Sequence, residues 1–424
     1  MRNRVQSDVQ DAILATIQKA MPTANHDQVM AFVNTIKAVP VAERVRGAEI
    51  ACALLSSWHG LAIFFEDQEW RDTLTISEVN DTDQFGRNVL QMICKHDEGR
   101  QFINADENFR SKITEEGFCA GGRQSAAYYF LSSADGVDIM LAHQALRMKL
   151  TPAFLNSGDN TDSMPILYEL AKTKKGVLLL ADPYVRGKIS DHGLNVQSTC
   201  HSTVSFLVRE AEGVALFSDD VFRAKVMPSA LNAVNESEDD SPVLHLCRAE
   251  RGREVLAVHQ GFCKRINAEA FNHLSADNTS PVFYLAKSAI GRQALEQSKY
   301  LSDLISSECL NAVCSGGEDK GASVAFWLIS TEGGREVLMK NKKLRLAIQP
   351  EVLQSQIVEG EFAGRSALDY LAADENRDLL RVMSSACRES VSSIGKSNLG
   401  LFAQRNEEMV EVQTTRSHKR CVIL

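Results

Sequence analysis

Long apolar runs are missing from this chain of 424 residues. A membrane-crossing helix needs about 18 consecutive apolar residues. Stretches such as Gly176-Val177-Leu178-Leu179-Leu180 are only long enough for a core helix. The start, Met1-Arg2-Asn3-Arg4-Val5-Gln6-Ser7-Asp8, has basic residues but not the apolar block of a secretory signal. Positive charge is in deficit: 46 Lys and Arg face 55 Asp and Glu, a net −9. That excludes the electrostatic footprint of a general nucleic-acid binder, so no nucleic-acid partner is expected. Paired cysteine motifs are missing as well. The ten cysteines are scattered singly, many at apolar positions (Cys52, Cys94, Cys247, Cys263). They read as free thiols in a reducing compartment rather than a disulfide framework. There is no P-loop, no HExxH, no CxxC and no Rossmann glycine pattern after a strand. With 44% hydrophobic and 24% charged residues the composition is that of a folded protein.

What is present is repetition. Glycines following a short apolar block stand at 60, 99, 136, 176, 213, 252, 291 and 334, spaced 37 to 43 residues apart. A ninth copy has Arg377 in the glycine's place. Two copies read plainly: Ser241-Pro242-Val243-Leu244-His245-Leu246-Cys247 then Gly252-Arg253-Glu254-Val255-Leu256, and Ser280-Pro281-Val282-Phe283-Tyr284-Leu285-Ala286 then Gly291-Arg292-Gln293-Ala294-Leu295. Later in each copy an apolar pair lies four apart, as in Trp70 and Leu74, Phe262 and Ile266, Leu301 and Ile305, or Leu344 and Ile348. Most copies close with an apolar residue and Asn: Leu155-Asn156, Leu194-Asn195, Leu231-Asn232, Phe271-Asn272, Leu310-Asn311. Self-similarity at a fixed period predicts a repeat architecture.

The local chemistry of one copy predicts helices. Ser takes an orphan amide at the cap, and Pro tolerates the first turn. Apolar residues three and four apart give one buried stripe. The glycine is expected to end this helix in a left-handed turn. A second helix follows, with Val255 and Leu256 inward, and the apolar pair prolongs it or forms a short third helix. Such a unit cannot bury its stripe alone, so the copies must stack. Ahead of them, Ser7-Asp8 is expected to cap a helix with Val9, Ile13, Leu14 and Ile17. Asn25 is expected to cap another with Val29, Phe32, Val33 and Ile36. The expected organisation is an N-terminal helical cap over 1–46, a repeat array over 47–404 and a flexible tail over 405–424.

Ser241-Pro242-Val243-Leu244-His245-Leu246-Cys247 and the following Gly252-Arg253-Glu254-Val255 resemble the Thr-Pro-Leu-His-x-Ala helix and turn of an ankyrin repeat. The closing Leu-Asn resembles the step before the next ankyrin hairpin. The resemblance spans roughly residues 47 to 380, and the copies are longer than the usual ankyrin period of about 33. It implies an all-α fold, an α-solenoid of about nine ankyrin-like helix-turn-helix repeats. Armadillo-like three-helix units are the alternative.

The last residues change character. Gln413-Thr414-Thr415-Arg416-Ser417-His418-Lys419-Arg420 is polar and basic, and the sequence closes with Cys421-Val422-Ile423-Leu424. This matches a CaaX prenylation motif, and Leu in the last position favours geranylgeranyl. Cys421 is then the lipidated thiol, and Val422, Ile423 and Leu424 are read by the prenyltransferase. Arg416, Lys419 and Arg420 touch an anionic membrane surface. The Glu407-Glu408-Met409-Val410-Glu411 block resembles that of type IV-secreted effectors of Legionella-like intracellular bacteria. Some of these join ankyrin-like repeats to a CaaX end that host enzymes lipidate.

The remaining candidates read as structural. Cys309 and Cys314 lack a nearby His at metal spacing, and His259 with Cys263 lacks two further ligands, so no metal is expected. His245 reads as a satisfied buried group. Ser366 reads as a helix cap, and Trp58, Trp70 and Trp327 as core. The expected function is a membrane-anchored adaptor without cofactor, apart from the covalent geranylgeranyl on Cys421. Its expected partners are the host protein geranylgeranyltransferase, the anionic cytosolic leaflet of a host membrane and a protein held on the repeat surface. The alternative is an enzyme acting on a membrane-bound host protein such as a small GTPase.

Overall fold

Short helices with buried stripes recur along the chain, as the three- and four-residue spacing of apolar residues demands. The computed structural model describes residues 2–156, 164–197, 201–235 and 241–392, with side chains from Val9 onward except Asp374. Among these residues the fold is mostly helical with no strand, in agreement with an all-α class. The chain divides into two compact units, Met1–Ala230 and Leu231–Leu424.

A block of four helices, each four to nine residues long, is the recurring element. One block comprises Pro242–Arg248, Glu250–Val258, Gln260–Cys263 and Ala268–Asn272; the next comprises Pro281–Lys287, Ala289–Gln297, Lys299–Leu304 and Ser307–Asn311. The expected apolar pairs are buried, with Phe262, Ile266, Leu301 and Ile305 at 4% exposure or less. The closing apolar-Asn step is the end of a fourth helix.

Equivalent helices pack on one another within each unit. In the first unit, Gly47–Leu55, Val89–Cys94, Ala126–Leu131, Ile166–Ala171 and Thr203–Leu207 touch in succession. In the second, Pro242–Arg248, Pro281–Lys287, Val324–Ser330 and Ala367–Leu371 do the same. These first helices are apolar on nearly every side, the pattern of a helix enclosed by neighbours. In Val324–Ser330 all of Val324, Ala325, Phe326, Trp327, Leu328 and Ile329 are buried. Each large side chain so enclosed contributes about 1.5–3 kcal/mol.

Caps start these helices as the sequence predicts. Ser241, Ser280 and Ser366 accept from the amides of Leu244, Phe283 and Asp369. Asn25 forms a reciprocal capping box with Gln28 at the head of His26–Lys37. The helix start expected at Ser7-Asp8 lies earlier, because the first helix begins at Arg2 and runs through them to Ala20.

The glycines do something other than end a helix. All eight sit inside the first turn of the second helix, and none has a left-handed backbone. A Cβ on Gly252 would overlap the carbonyl oxygen of Leu246, and one on Gly291 that of Leu285. Gly60, Gly99, Gly136, Gly176, Gly213 and Gly334 meet the carbonyl six residues earlier in the same way. The glycine therefore lets the second helix cross the end of the first at backbone contact. Left-handed glycines lie instead in interblock loops, for example Gly321 and Gly364. Those loops lead into antiparallel bridges pairing Val313 with Ser323 and Gln356 with Ser366.

Candidate functional site

Helices of four to nine residues create many ends, and each leaves up to four carbonyls without an intrahelical partner. The recurring polar residues answer that need. In the four blocks where an arginine follows the glycine, it caps the first helix of its own block. Arg100 Nη1 donates to Cys94 O at 2.9 Å, Arg253 Nη1 to Cys247 O at 3.0 Å, Arg292 Nη1 to Ala286 O at 2.9 Å and Arg335 Nη1 to Ile329 O at 3.2 Å. A second arginine, eleven residues after the glycine, caps the second helix. Arg71 donates to the carbonyls of Phe64 and Phe65, Arg147 to Met140 and Leu141, and Arg345 to Leu338 and Met339. Where Cys263 holds that position, its thiol donates to Leu256 O at 3.2 Å. Lysines finish the third helix of the preceding block: Lys112 Nζ donates to the carbonyls of Arg71 and Leu74, and Lys188 Nζ to Met148 and Leu150.

The asparagine closing each block is a three-way link. Asn272 Nδ2 donates to Ala268 O in its own helix at 2.7 Å and to Leu304 O in the next block at 2.9 Å. Its Oδ1 accepts the Ser306 amide at 2.8 Å. Asn80, Asn156, Asn195 and Asn311 repeat this arrangement. Asn232 makes the two cross-block bonds, to Arg265 O and from the Asn267 amide. Cys119 stands where one asparagine would be, and its thiol points to Lys149 O at 3.4 Å. Sequence reading missed these roles, although the fixed offset of the arginines from the glycines was a visible signal.

The thiols of the described residues are mostly buried. Burial pushes the Cys52 and Cys309 thiols up to about 12 and Cys263 up to about 11, and raises Cys247 further. A nucleophile needs the thiolate, so these are packing groups. Cys309 bonds the Ser280 hydroxyl at 3.0 Å, and Cys314 donates to Gly316 O at 3.1 Å. No group of three or more His, Cys, Asp or Glu is placed to hold a metal among the described residues. His245 is half-buried within Pro242–Arg248. Trp70 and Trp327 are buried, but Trp58 is 67% exposed. It occupies the first position of the second helix, pointing outward, and meets His96 edge-on at 6.4 Å.

Shallow clefts lie between equivalent helices: one of ≈ 440 Å³ between second helices, lined by Glu254, Val258, Ile290 and Gln293, and one of ≈ 500 Å³ between fourth helices, lined by Leu274, Glu308, Asn311 and Gln349. In the first unit a similar cleft is lined by Ile76, Asp81, Thr114 and Glu116. Phe85, 66% exposed, stands in an interblock loop with the Arg87 guanidinium 4.9 Å from its ring centre. Cys421, Val422, Ile423 and Leu424, together with Arg416, Lys419 and Arg420, lie outside the described residues. So do the Glu407–Glu411 block, residues 393–404 and the acidic stretch 236–240. Comparison with family models, curated proteins and solved structures finds no match for this chain.

Proposed function

We propose that the chain is a lipid-anchored adaptor, an α-solenoid of ankyrin-like repeats that holds a protein partner at a membrane. One observation carries this reading. The recurring polar side chains, Arg, Asn, Ser and Lys, are spent on backbone groups of their own or the adjacent block. That leaves the residues that vary from block to block on the outer faces, where a repeat protein recognises its partner. The bridges before Ser323 and Ser366 support ankyrin-like blocks over armadillo-like ones.

In this reading Cys421 forms the thioether with geranylgeranyl and Val422 and Ile423 fill the apolar pocket of the host protein geranylgeranyltransferase. Leu424 selects the isoprenoid. One prenyl chain binds a membrane reversibly. Arg416, Lys419 and Arg420 add about 1 kcal/mol each at an anionic cytosolic leaflet. The Glu407–Glu411 resemblance supports a translocated bacterial effector acting on a host membrane. The test is expression of the full chain and of Cys421→Ser in eukaryotic cells, with intact-mass measurement and fractionation. The expected result is one geranylgeranyl adduct on the membrane-bound parent and an unmodified, cytosolic variant. An unmodified parent, or a variant that stays on membranes equally, would overturn the anchor.

A further inference from the structure

The third helices of the second unit carry a surface that the repeat packing does not explain. Lys299–Leu304 and Lys342–Ala347 pack side by side with Leu301 and Leu344 turned inward. Their outer positions hold Lys299, Tyr300, Lys342, Lys343 and Leu346, and Lys264 follows the equivalent helix of the preceding block. The pieces are tied together. Tyr300 OH donates to Ile266 O at 2.8 Å, two residues from Lys264, and Lys343 Nζ donates to Asp303 O at 2.7 Å.

The charge on this face is one-sided. Lys264, Lys299 and Lys342 are exposed and meet no carboxylate among the described residues. Asp303 is the one acid at the outer positions of these two helices, and its carboxylate accepts from Asn341 Nδ2 at 3.4 Å. The helix over 385–392 carries Glu389 at the equivalent position. Lysines that serve the fold in this protein have carbonyls to cap, as Lys112 and Lys188 do and as Lys343 does on this face, whereas Lys264, Lys299 and Lys342 cap none among the described residues. Interleaved with the free lysines, Leu346 is 52% and Tyr300 36% exposed. The same outer positions in the first two blocks of the other unit carry Glu69, Asp72 and Glu107. Lysines flanking an exposed tyrosine and leucine on one helical layer form a surface that seats at the boundary between anionic headgroups and acyl chains.

We propose that this face of the second unit, Lys264, Lys299, Lys342 and Lys343 around Tyr300 and Leu346, binds an anionic lipid leaflet. It supplies a membrane contact separate from the tail. The inference builds on the membrane-anchored reading and supplies the orientation that a reversible single-chain anchor lacks. Each lysine brought to an anionic surface is worth about fivefold in partitioning.

The experiment uses full-length Cys421→Ser protein, which carries no lipid, with vesicles of phosphatidylcholine alone or with phosphatidylserine. Co-sedimentation should show binding that requires phosphatidylserine and weakens as salt rises. Reversing Lys264, Lys299, Lys342 and Lys343 to Glu should lower partitioning by about tenfold or more. The Gln variants of Lys264, Lys299 and Lys342 should fall less and melt as the parent does. Reversing the exposed Lys174 and Lys175 of the first unit should change partitioning by less than about twofold. The face-dependent part should survive neutralisation of Arg416, Lys419 and Arg420. Equal binding to both vesicle types, no loss on reversing the face, or binding that vanishes with the tail charges alone would overturn the proposal. None of these outcomes alters the mass of the lipidated parent, so the two readings fail separately.

Discussion

The two units use one backbone device and finish it differently. In the first, Arg100 caps Cys94 O and also reaches Asp135 of the next block at 3.0 Å. In the second, Arg292 caps Ala286 O but faces Gly333, where a Cβ would lie 3.7 Å from its Nε. Arg253 and Arg292 each keep a buried Nε without a hydrogen-bond partner. The third helices differ likewise. Arg147 meets Asp182 at 2.9 Å and Arg186 meets Asp219 at 3.3 Å, whereas Cys263 and Ser302 stand near those positions in the second unit. Arginine caps thus recur in both units, and the interblock carboxylates accompany them only in places. The interblock Arg–Asp pairs should make the first unit the more sensitive to acid.

Breaking the shared device has the largest effect. Gly291→Val should cost about 3 kcal/mol or more, because the side chain must displace the Leu285 carbonyl. Gly261→Ala, where a Cβ meets nothing within 4 Å, should be neutral or gain up to about 1 kcal/mol. Urea unfolding of both variants checks the contrast. Next comes the asparagine link. Asn272→Ala removes three bonds and should cost about 2–4 kcal/mol, and Asn156→Ala a similar amount in the other unit.

The ion pairs rank below these. Burial pushes the Asp135 carboxyl up, but the Arg100 hydrogen bond and charge, with Ser133 and the Gly136 amide, hold it below its ordinary 3.8. A carboxyl depressed in the folded state stabilises above about pH 4 and loses that contribution as pH falls through its folded value. Asp135→Asn should therefore cost about 1 kcal/mol at pH 7, allowing for a carboxylate a third in water, and nothing in strong acid. Gly333→Asp should recreate the pair on Arg292 and gain up to about 1 kcal/mol, read as a higher melting temperature. The smallest effect involves His143, which stands between Arg110 and Arg147 and bonds Asn104 Oδ1 at 2.8 Å. Burial and then the two guanidiniums, against Glu107, hold its imidazole below the ordinary 6.5. The unfolded chain takes up that proton first, so stability should decline as pH drops below about 6.5. His143→Asp should flatten the melting profile between about pH 5 and 7.

Much of the block was legible in the sequence because apolar spacing and capping residues act locally. Ser241, Ser280, Ser366 and Asn25 cap where their neighbours predict, and Trp70, Phe262 and Leu344 are buried. Other features depend on residues in an adjacent helix or block. Gly252 suits either a turn or a close crossing, and only the position of the Leu246 carbonyl decides. Asn272 looks like a turn residue until Leu304 and Ser306 arrive from the next block. Trp58 reads as core, yet it takes the outward first position of its helix, where Asp97, Glu250 and Glu332 stand in other blocks.

Amide hydrogen exchange on Asn272→Ala tests most directly the idea that recurring polar residues hold one block to the next. Faster exchange at Ser306 and through Ser307–Asn311, with Gly47–Leu55 unchanged, is the expected result. Unaltered protection at Ser306 would contradict it.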